Sequence, residues 1–214
     1  MIQNREIGGF FELELSDESH YHKDALALNS ARNCLKYIIE ARHIRKIFIP
    51  AYCCDSLLEP ITCNKINYQF YHVKNSFELE ILPKLKNGQH LLYINYYGLK
   101  SRYIKYLHSI YGERLIVDNT QAFFEKPIEN VDTFYSPRKF FGVPDGGYLY
   151  STKCIDRNLE TGLSLDRFSH LLGRHEERAS DFYAEYLQSE KSLKDENFTL
   201  EGTYLVSVID KIFG

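Results

Sequence analysis

An α/β fold, with a mostly parallel sheet flanked by helices in three layers, is the class this sequence predicts. Two observations predict it. Short apolar stretches of strand length alternate with amphipathic stretches of helical length over residues 26–151, the pattern of strand–helix–strand units. The residues best suited to chemistry also follow predicted strands, where open α/β sheets bind their ligands.

The elements follow in order. Residues 7–15 end in apolar–acidic alternation and read as an edge strand or N-terminal arm. Within Leu26–Glu40, Asn29 or Ser30 can cap a helix that places Leu35, Ile38 and Ile39 on one face. Lys46–Ile49 is a buried strand ending at Pro50. A helix over roughly 54–61 and a strand over 68–73 come next. A second set then runs strand 91–97, helix 102–111, strand 115–119. A short aromatic strand precedes Lys139, and Gly147–Ser151 is a further strand. Asp166–Leu187 carries a charged, helical periodicity, Glu190–Glu196 is a charged linker, and Thr203–Phe213 begins another helix. The expected division is a large domain over 1–160 and a helical extension over 161–214.

The bulk properties narrow the function classes. The 214 residues are 44% hydrophobic, enough for a sizeable core, and the net charge of -3 points to neither nucleic acid nor an anionic membrane. No apolar run approaches the ~20 residues of a membrane span, and the N-terminus has no signal-peptide core. With no secretion signal, five cysteines read as reduced thiols in a cytoplasmic protein, and the Asn197-Phe198-Thr199 sequon carries little weight. Cys53, Cys54 and Cys63 make no zinc spacing with a nearby histidine. The 17 tyrosines and 14 phenylalanines read mainly as half-buried strand faces, although Tyr68–His72 and Leu91–Tyr97 could line a polar cleft. Neither a phosphate-binding G-x-x-x-x-G-K-[ST] loop nor a dinucleotide-binding G-x-G-x-x-G occurs.

Three constellations carry chemistry. Asn29-Ser30-Ala31-Arg32 opens a helix with small residues, and its free N–H groups and positive dipole end suit a phosphate. Asp118 ends the Leu115–Val117 strand, with Gln121 three residues on. Lys139 sits among aromatics beside Pro137 and Arg138, a cation-rich and partly desolvated setting that frees an amine for imine chemistry. Asp145-Gly146-Gly147 permits a tight turn before the next strand. A lysine amine together with a strand-end carboxylate suits pyridoxal 5'-phosphate, which needs a Schiff-base partner and an acid facing its ring nitrogen.

Over residues ~28–150 the chain resembles the DegT/DnrJ/EryC1/StrS family of pyridoxal-phosphate-dependent sugar aminotransferases, of fold type I. The likeness rests on Asn29–Leu35, Ile49-Pro50-Ala51-Tyr52-Cys53-Cys54, Tyr97-Gly98, Asp118-Asn119-Thr120-Gln121, and Lys139 with Asp145-Gly146-Gly147, all in family order. It implies Lys139 as the Schiff-base lysine and Asp118 as the ring-nitrogen partner. Gln121 would support the ring, and the backbone at Ala31 and Arg32, with Ser30 and Ser136 close by, would hold the phosphate. The chain departs from the family pattern at several points. Cys54 stands where an aromatic usually stacks on the cofactor, so that stacking is either lost or moved to Tyr52. Phe134 replaces a phosphate-binding serine, Pro144 a glycine, Ala31 a glycine and Arg32 a hydroxyl residue. Members usually continue into a C-terminal small domain, which this chain is expected largely to lack.

The resemblance implies a ping-pong transamination between an amino donor such as glutamate and a nucleotide-linked keto sugar, in a homodimer of surface polysaccharide biosynthesis. Lys139 argues against the related dehydratases, which carry histidine there. The alternative is a non-catalytic or truncated homologue that serves as a binding module.

Overall fold

The computed structural model describes residues 21–192 and 199. The expected segments at 7–15 and 203–213 lie outside the described residues, as do Asn197 and Phe198 of the sequon and most of the 190–196 linker.

Seven strands form one mixed, mostly parallel sheet. They are β1 (Leu26–Leu28), β2 (Lys46–Pro50), β3 (Asn67–Tyr71), β4 (Gln89–Ile94), β5 (Leu115–Asp118), β6 (Asp132–Tyr135) and β7 (Gly147–Tyr150). Their order is β1-β7-β6-β5-β4-β2-β3. Strands β3, β2, β4, β5 and β6 run parallel, and β7 is antiparallel to both β6 and β1. Five helices accompany them: α1 (Ala31–Ala41), α2 (Asp55–Cys63), α3 (Ser101–Tyr111), α4 (Ser169–Glu176) and α5 (Tyr183–Ser192). The crossovers run in opposite directions, from β2 outward to β3 and from β4 back to β5. Right-handed crossovers therefore place α2 and α3 on opposite faces of the sheet. Helix α1 packs on α2, β6 and β7, and α3 on β5.

Sequence dictates the best-built parts. In α1, Cys34, Leu35, Tyr37, Ile38 and Ile39 are buried on one face, and the Ser30 hydroxyl caps the helix by accepting the Asn33 N–H at 3.2 Å. Strands β4, β5 and β6 have interiors buried on both faces, as expected of central parallel strands. Edge strand β3 differs: Asn67–Phe70 are exposed, and Tyr68 and Phe70 face solvent rather than a cleft. The one tyrosine of β4, Tyr93, is a core residue with its hydroxyl donating to the Phe77 carbonyl at 2.7 Å.

Three features differ from expectation. Leu26–Leu28 forms an edge strand on β7, because α1 starts only at its Ser30 cap. The first residues of the supposed linker, Glu190 to Ser192, complete α5. The end of strand 91–97 turns at Asn95 into a short 3-10 turn, Tyr96–Gly98, where Tyr97 and Gly98 take positive φ values of 55° and 72°.

At the N-terminal ends of β4 and β6 a polar cluster closes the sheet. Arg42 Nε donates to Asp132 at 2.6 Å. The Thr152 N–H and hydroxyl donate to the same carboxylate at 2.8 and 3.0 Å. Both side chains of the Arg42–Asp132 pair are almost wholly buried. Among the described residues no helix is long and apolar enough to cross a membrane.

Candidate functional site

At the opposite, C-terminal end of the strands a cavity of about 550 Å³ opens. It lies where ligands bind in open α/β sheets. The first turns of α1 and α2, the ends of β5 and β6, the 3-10 turn Pro137–Lys139 and helices α4 and α5 line it.

Asp118, the last residue of β5, forms the floor. It is 5% exposed and accepts the Thr120 N–H at 2.8 Å. Burial pushes its carboxyl above the usual range, and the Thr120 hydroxyl and N–H and the Lys139 charge pull it back down. Lys139 reaches in from the 3-10 turn, and its Nζ donates to Thr120 Oγ1 at 3.2 Å. Thr120 thus bridges the amine and the carboxylate. Lys139 is exposed at the cavity, less desolvated than its aromatic neighbours suggest, because the turn carrying it lies at the open rim.

The anion-binding side is built around the start of α1. Among the described residues the Arg32 N–H has no acceptor, the Ser30–Gly146 bridge ties the helix cap to the turn before β7, and the helix dipole adds positive potential there. Gly147 makes this geometry possible. A Cβ at that position would lie 2.5 Å from the Ser30 carbonyl carbon and 2.6 Å from the Ala31 nitrogen, so β7 can run against the helix start only as glycine. Gly146 has φ +107° and donates its N–H to the Asn29 carbonyl at 2.9 Å. Asp145 anchors the turn, accepting the Ser164 hydroxyl at 2.7 Å and Arg167 at 2.8 Å. The acidic-Gly-Gly signature therefore locks β7 to the start of α1.

Seven of the nine expected cofactor residues converge on the cavity: Ser30, Ala31, Arg32, Cys54, Asp118, Ser136 and Lys139. Cys54 is the exposed N-cap of α2. Ser136 precedes the lysine turn, and Phe134 of β6 lines the wall where a serine was expected. The other two turn elsewhere. Tyr52 is 57% exposed and stacks in a row with Phe77 and Tyr96. Gln121 Oε1 accepts the Tyr97 N–H at 3.2 Å, bracing the left-handed turn at Tyr97. Beyond the strand end, the residue two after Asp118 rather than three after it points to the lysine, which makes Thr120 the partner that sequence spacing overlooked.

Three further lining residues escaped the sequence reading, His170, Arg174 and Glu190, and Arg138, expected only as a cation beside the lysine, lines the cavity too. Arg138 donates to the Glu190 carboxylate, whose other oxygen lies 3.5 Å from Arg32. Burial alone would raise the Glu190 carboxyl, but Arg138 and then Arg32 hold it below the usual carboxylate range. Arg32 also reaches Glu59 at 2.8 Å and donates to Ser56 at 3.1 Å. Burial, with Arg138 beside it, holds the His170 imidazole below its ordinary value. No cluster of metal-ligating side chains exists among the described residues.

No known family model matches the chain, and no curated protein is similar to it in sequence. Solved structures do resemble it. A DesV complex with a ketimine intermediate from S. venezuelae is 15% identical over 59% of this chain and 39% of that one, with a TM-score of 0.47. A DegT DnrJ EryC1 StrS aminotransferase from Brucella abortus is 14% identical over 60% of this chain and 42% of that one, with a TM-score of 0.44. An aminotransferase from Psychrobacter cryohalolentis is 13% identical over 60% and 38%, with a TM-score of 0.48. The chain thus spans about two fifths of the length of these structures.

Proposed function

We propose that this chain is a pyridoxal-phosphate-binding, aminotransferase-like protein, with Lys139 as the covalent attachment point. One observation carries the reading: an amine and a buried carboxylate share one cavity, bridged by Thr120, beside the positive end of helix α1. These donors fit the cofactor. Lys139 offers the amine, Asp118 an acid for the ring nitrogen, and Arg32 and Ser136 donors for the phosphate. When bound, the cofactor supplies an electron sink for charge developing on a substrate carbon.

The protein's own residues do the rest. Burial raises the Asp118 carboxyl while Thr120 and Lys139 oppose that rise, and a cation placed against it favours the ionised form. Thr120 fixes the Asp118 carboxylate through its N–H and holds the Lys139 amine above it. Lys139 Nζ is placed to take a proton from an amino donor's α-carbon and to return one to the product. The expected substrates are an amino donor such as glutamate and a nucleotide-linked keto sugar. Residues 1–160 would form the cofactor domain, 161–214 a helical extension, and a homodimer the working unit.

A second reading, binding without turnover, is favoured by the outward-facing Tyr52 and by Cys54 at the cavity, which together leave the α2 side without a stacking aromatic. A spectral titration with pyridoxal phosphate separates the two. The first reading expects a lysine-dependent absorbance band that glutamate bleaches and Lys139→Ala abolishes. A band that glutamate leaves unchanged supports binding alone, and no band at saturating cofactor overturns both.

A further inference from the structure

Helix α5 lies over the cavity, yet little apolar surface holds it there. Ser189 is its only residue called buried, while Tyr183, Tyr186 and Leu187 are 59%, 39% and 43% exposed. Helix α1, by contrast, buries six residues. What ties α5 down is charge and one close helix contact. The Glu190 carboxylate reaches both Arg138 and Arg32, which come from separate elements and converge on it. At the other end, Phe182 packs so closely on Gly173 of α4 that a Cβ there would lie 2.1 Å from the ring. His170 of α4 meets Tyr186 edge-on at 5.7 Å.

Two guanidinium groups at the mouth of a cavity are phosphate chemistry, because each offers forked donors to a multivalent oxyanion. A carboxylate held between them is the intramolecular version of such a ligand. Arg32, Arg138, Lys139 and Arg174 line the cavity as cations, against Asp118 and Glu190 as carboxylates. With Glu190 removed, Arg32 keeps Glu59 at 2.8 Å while Arg138 loses this carboxylate, which raises the positive potential beside the start of α1.

We propose that Glu190 is an internal occupant of a phosphoryl-anion subsite formed by Arg32 and Arg138, and that α5 is a cap released when a phosphoryl group takes its place. The idea deepens the cofactor reading by assigning a gate to the same cavity, but it needs only the anion. Binding is then taxed by the fraction of molecules in which Glu190 has let go. Once undocked, a helix of 10 residues is marginal in water. Anion binding should therefore leave α5 less protected.

The test is amide hydrogen exchange of the full chain with inorganic phosphate, against chloride at matched ionic strength. We expect saturating phosphate to accelerate exchange over residues 183–192 by about tenfold or more, while α1 stays protected. Glu190→Gln, which keeps the shape and removes the charge, should exchange rapidly there without phosphate and bind phosphate about tenfold more tightly. Inorganic phosphate forms no imine with Lys139, so the gate stands or falls separately from the lysine chemistry. A pyridoxal-phosphate arm in Glu190→Gln distinguishes cofactor from free phosphate as the source of the anion. The proposal is overturned if phosphate does not bind, if it binds with α5 as protected as before, or if Glu190→Gln binds it no more tightly. The wild-type exchange measurement decides the matter even if the variant folds poorly.

Discussion

Asp118 and Asp132 sit on neighbouring parallel strands and at opposite ends of them. Asp132 opens β6 and accepts Arg42, the Thr152 N–H and the Thr152 hydroxyl, so its acceptor capacity is spent inside the protein. Asp118 closes β5, accepts hydrogen bonds on its carboxylate only from Thr120 among the described residues, and lines a cavity with a lysine beside it. Both are buried carboxylates in the same sheet. The difference teaches that burial alone does not single out a candidate acid; unspent hydrogen-bonding capacity next to open space does.

Substitution should separate the two most sharply. Asp132→Ala leaves the buried Arg42 guanidinium without its main partner and should cost about 3–5 kcal/mol in a urea titration. Asp118→Asn should change stability by less than about 1 kcal/mol, because burial disfavours its charge, yet it should weaken pyridoxal-phosphate binding by about tenfold or more. Equal destabilisation by both changes would erase the distinction.

Gly147→Ala tests the cavity end in another way. Its Cβ would meet the Ser30–Ala31 backbone rather than a flexible side chain. We expect a loss of about 1–3 kcal/mol and weakened phosphate binding, since the start of α1 must shift. Unchanged thermal stability would refute the close packing described here.

Acid should act first on the structural parts. Burial, with Arg42 beside it, lowers the His90 imidazole to about 4, against an opposing pull from Asp132. Burial likewise lowers His22 to about 4, although the Phe123 carbonyl favours its charged form. In the unfolded chain both titrate near 6.5, so between that value and about 4 the unfolded state holds more protons. Stability should be full above pH 6.5 and fall as pH drops towards 4, with roughly two protons taken up on unfolding near pH 5. Denaturant titrations across that range check the slope, and a flat profile would contradict it.

The smallest effect is expected at Gln121. Its bond to the Tyr97 N–H predicts a loss of about 0.5–1.5 kcal/mol for Gln121→Ala, with cofactor binding unchanged. A large loss of binding would return Gln121 to the site.

Much of this was legible in the residues. Strands such as Lys46–Pro50 and Leu115–Asp118 are continuous apolar runs, and α1 carries its cap and its apolar face in one short stretch. The meeting of Ser30, Asp118 and Lys139 follows from their positions beyond strand ends. Other features depend on tertiary placement. The three residues of β1 are too few for a period, and only β7 makes them a strand. Thr120 rather than Gln121 faces the lysine because the chain leaves β5 through a turn closed by the Asn119 carbonyl and the Ala122 N–H. Arg138 and Glu190 are 52 positions apart, and nothing local announces their pairing.

The proposed cofactor site stands on Lys139 and Asp118 acting together. Its most direct measurement is borohydride reduction of the protein mixed with pyridoxal phosphate, followed by peptide mapping of the label. The account predicts stoichiometric labelling at Lys139, sharply reduced in Asp118→Asn and retained in Gln121→Ala. Labelling scattered over surface lysines such as Lys105 and Lys126, or none at Lys139, would contradict it.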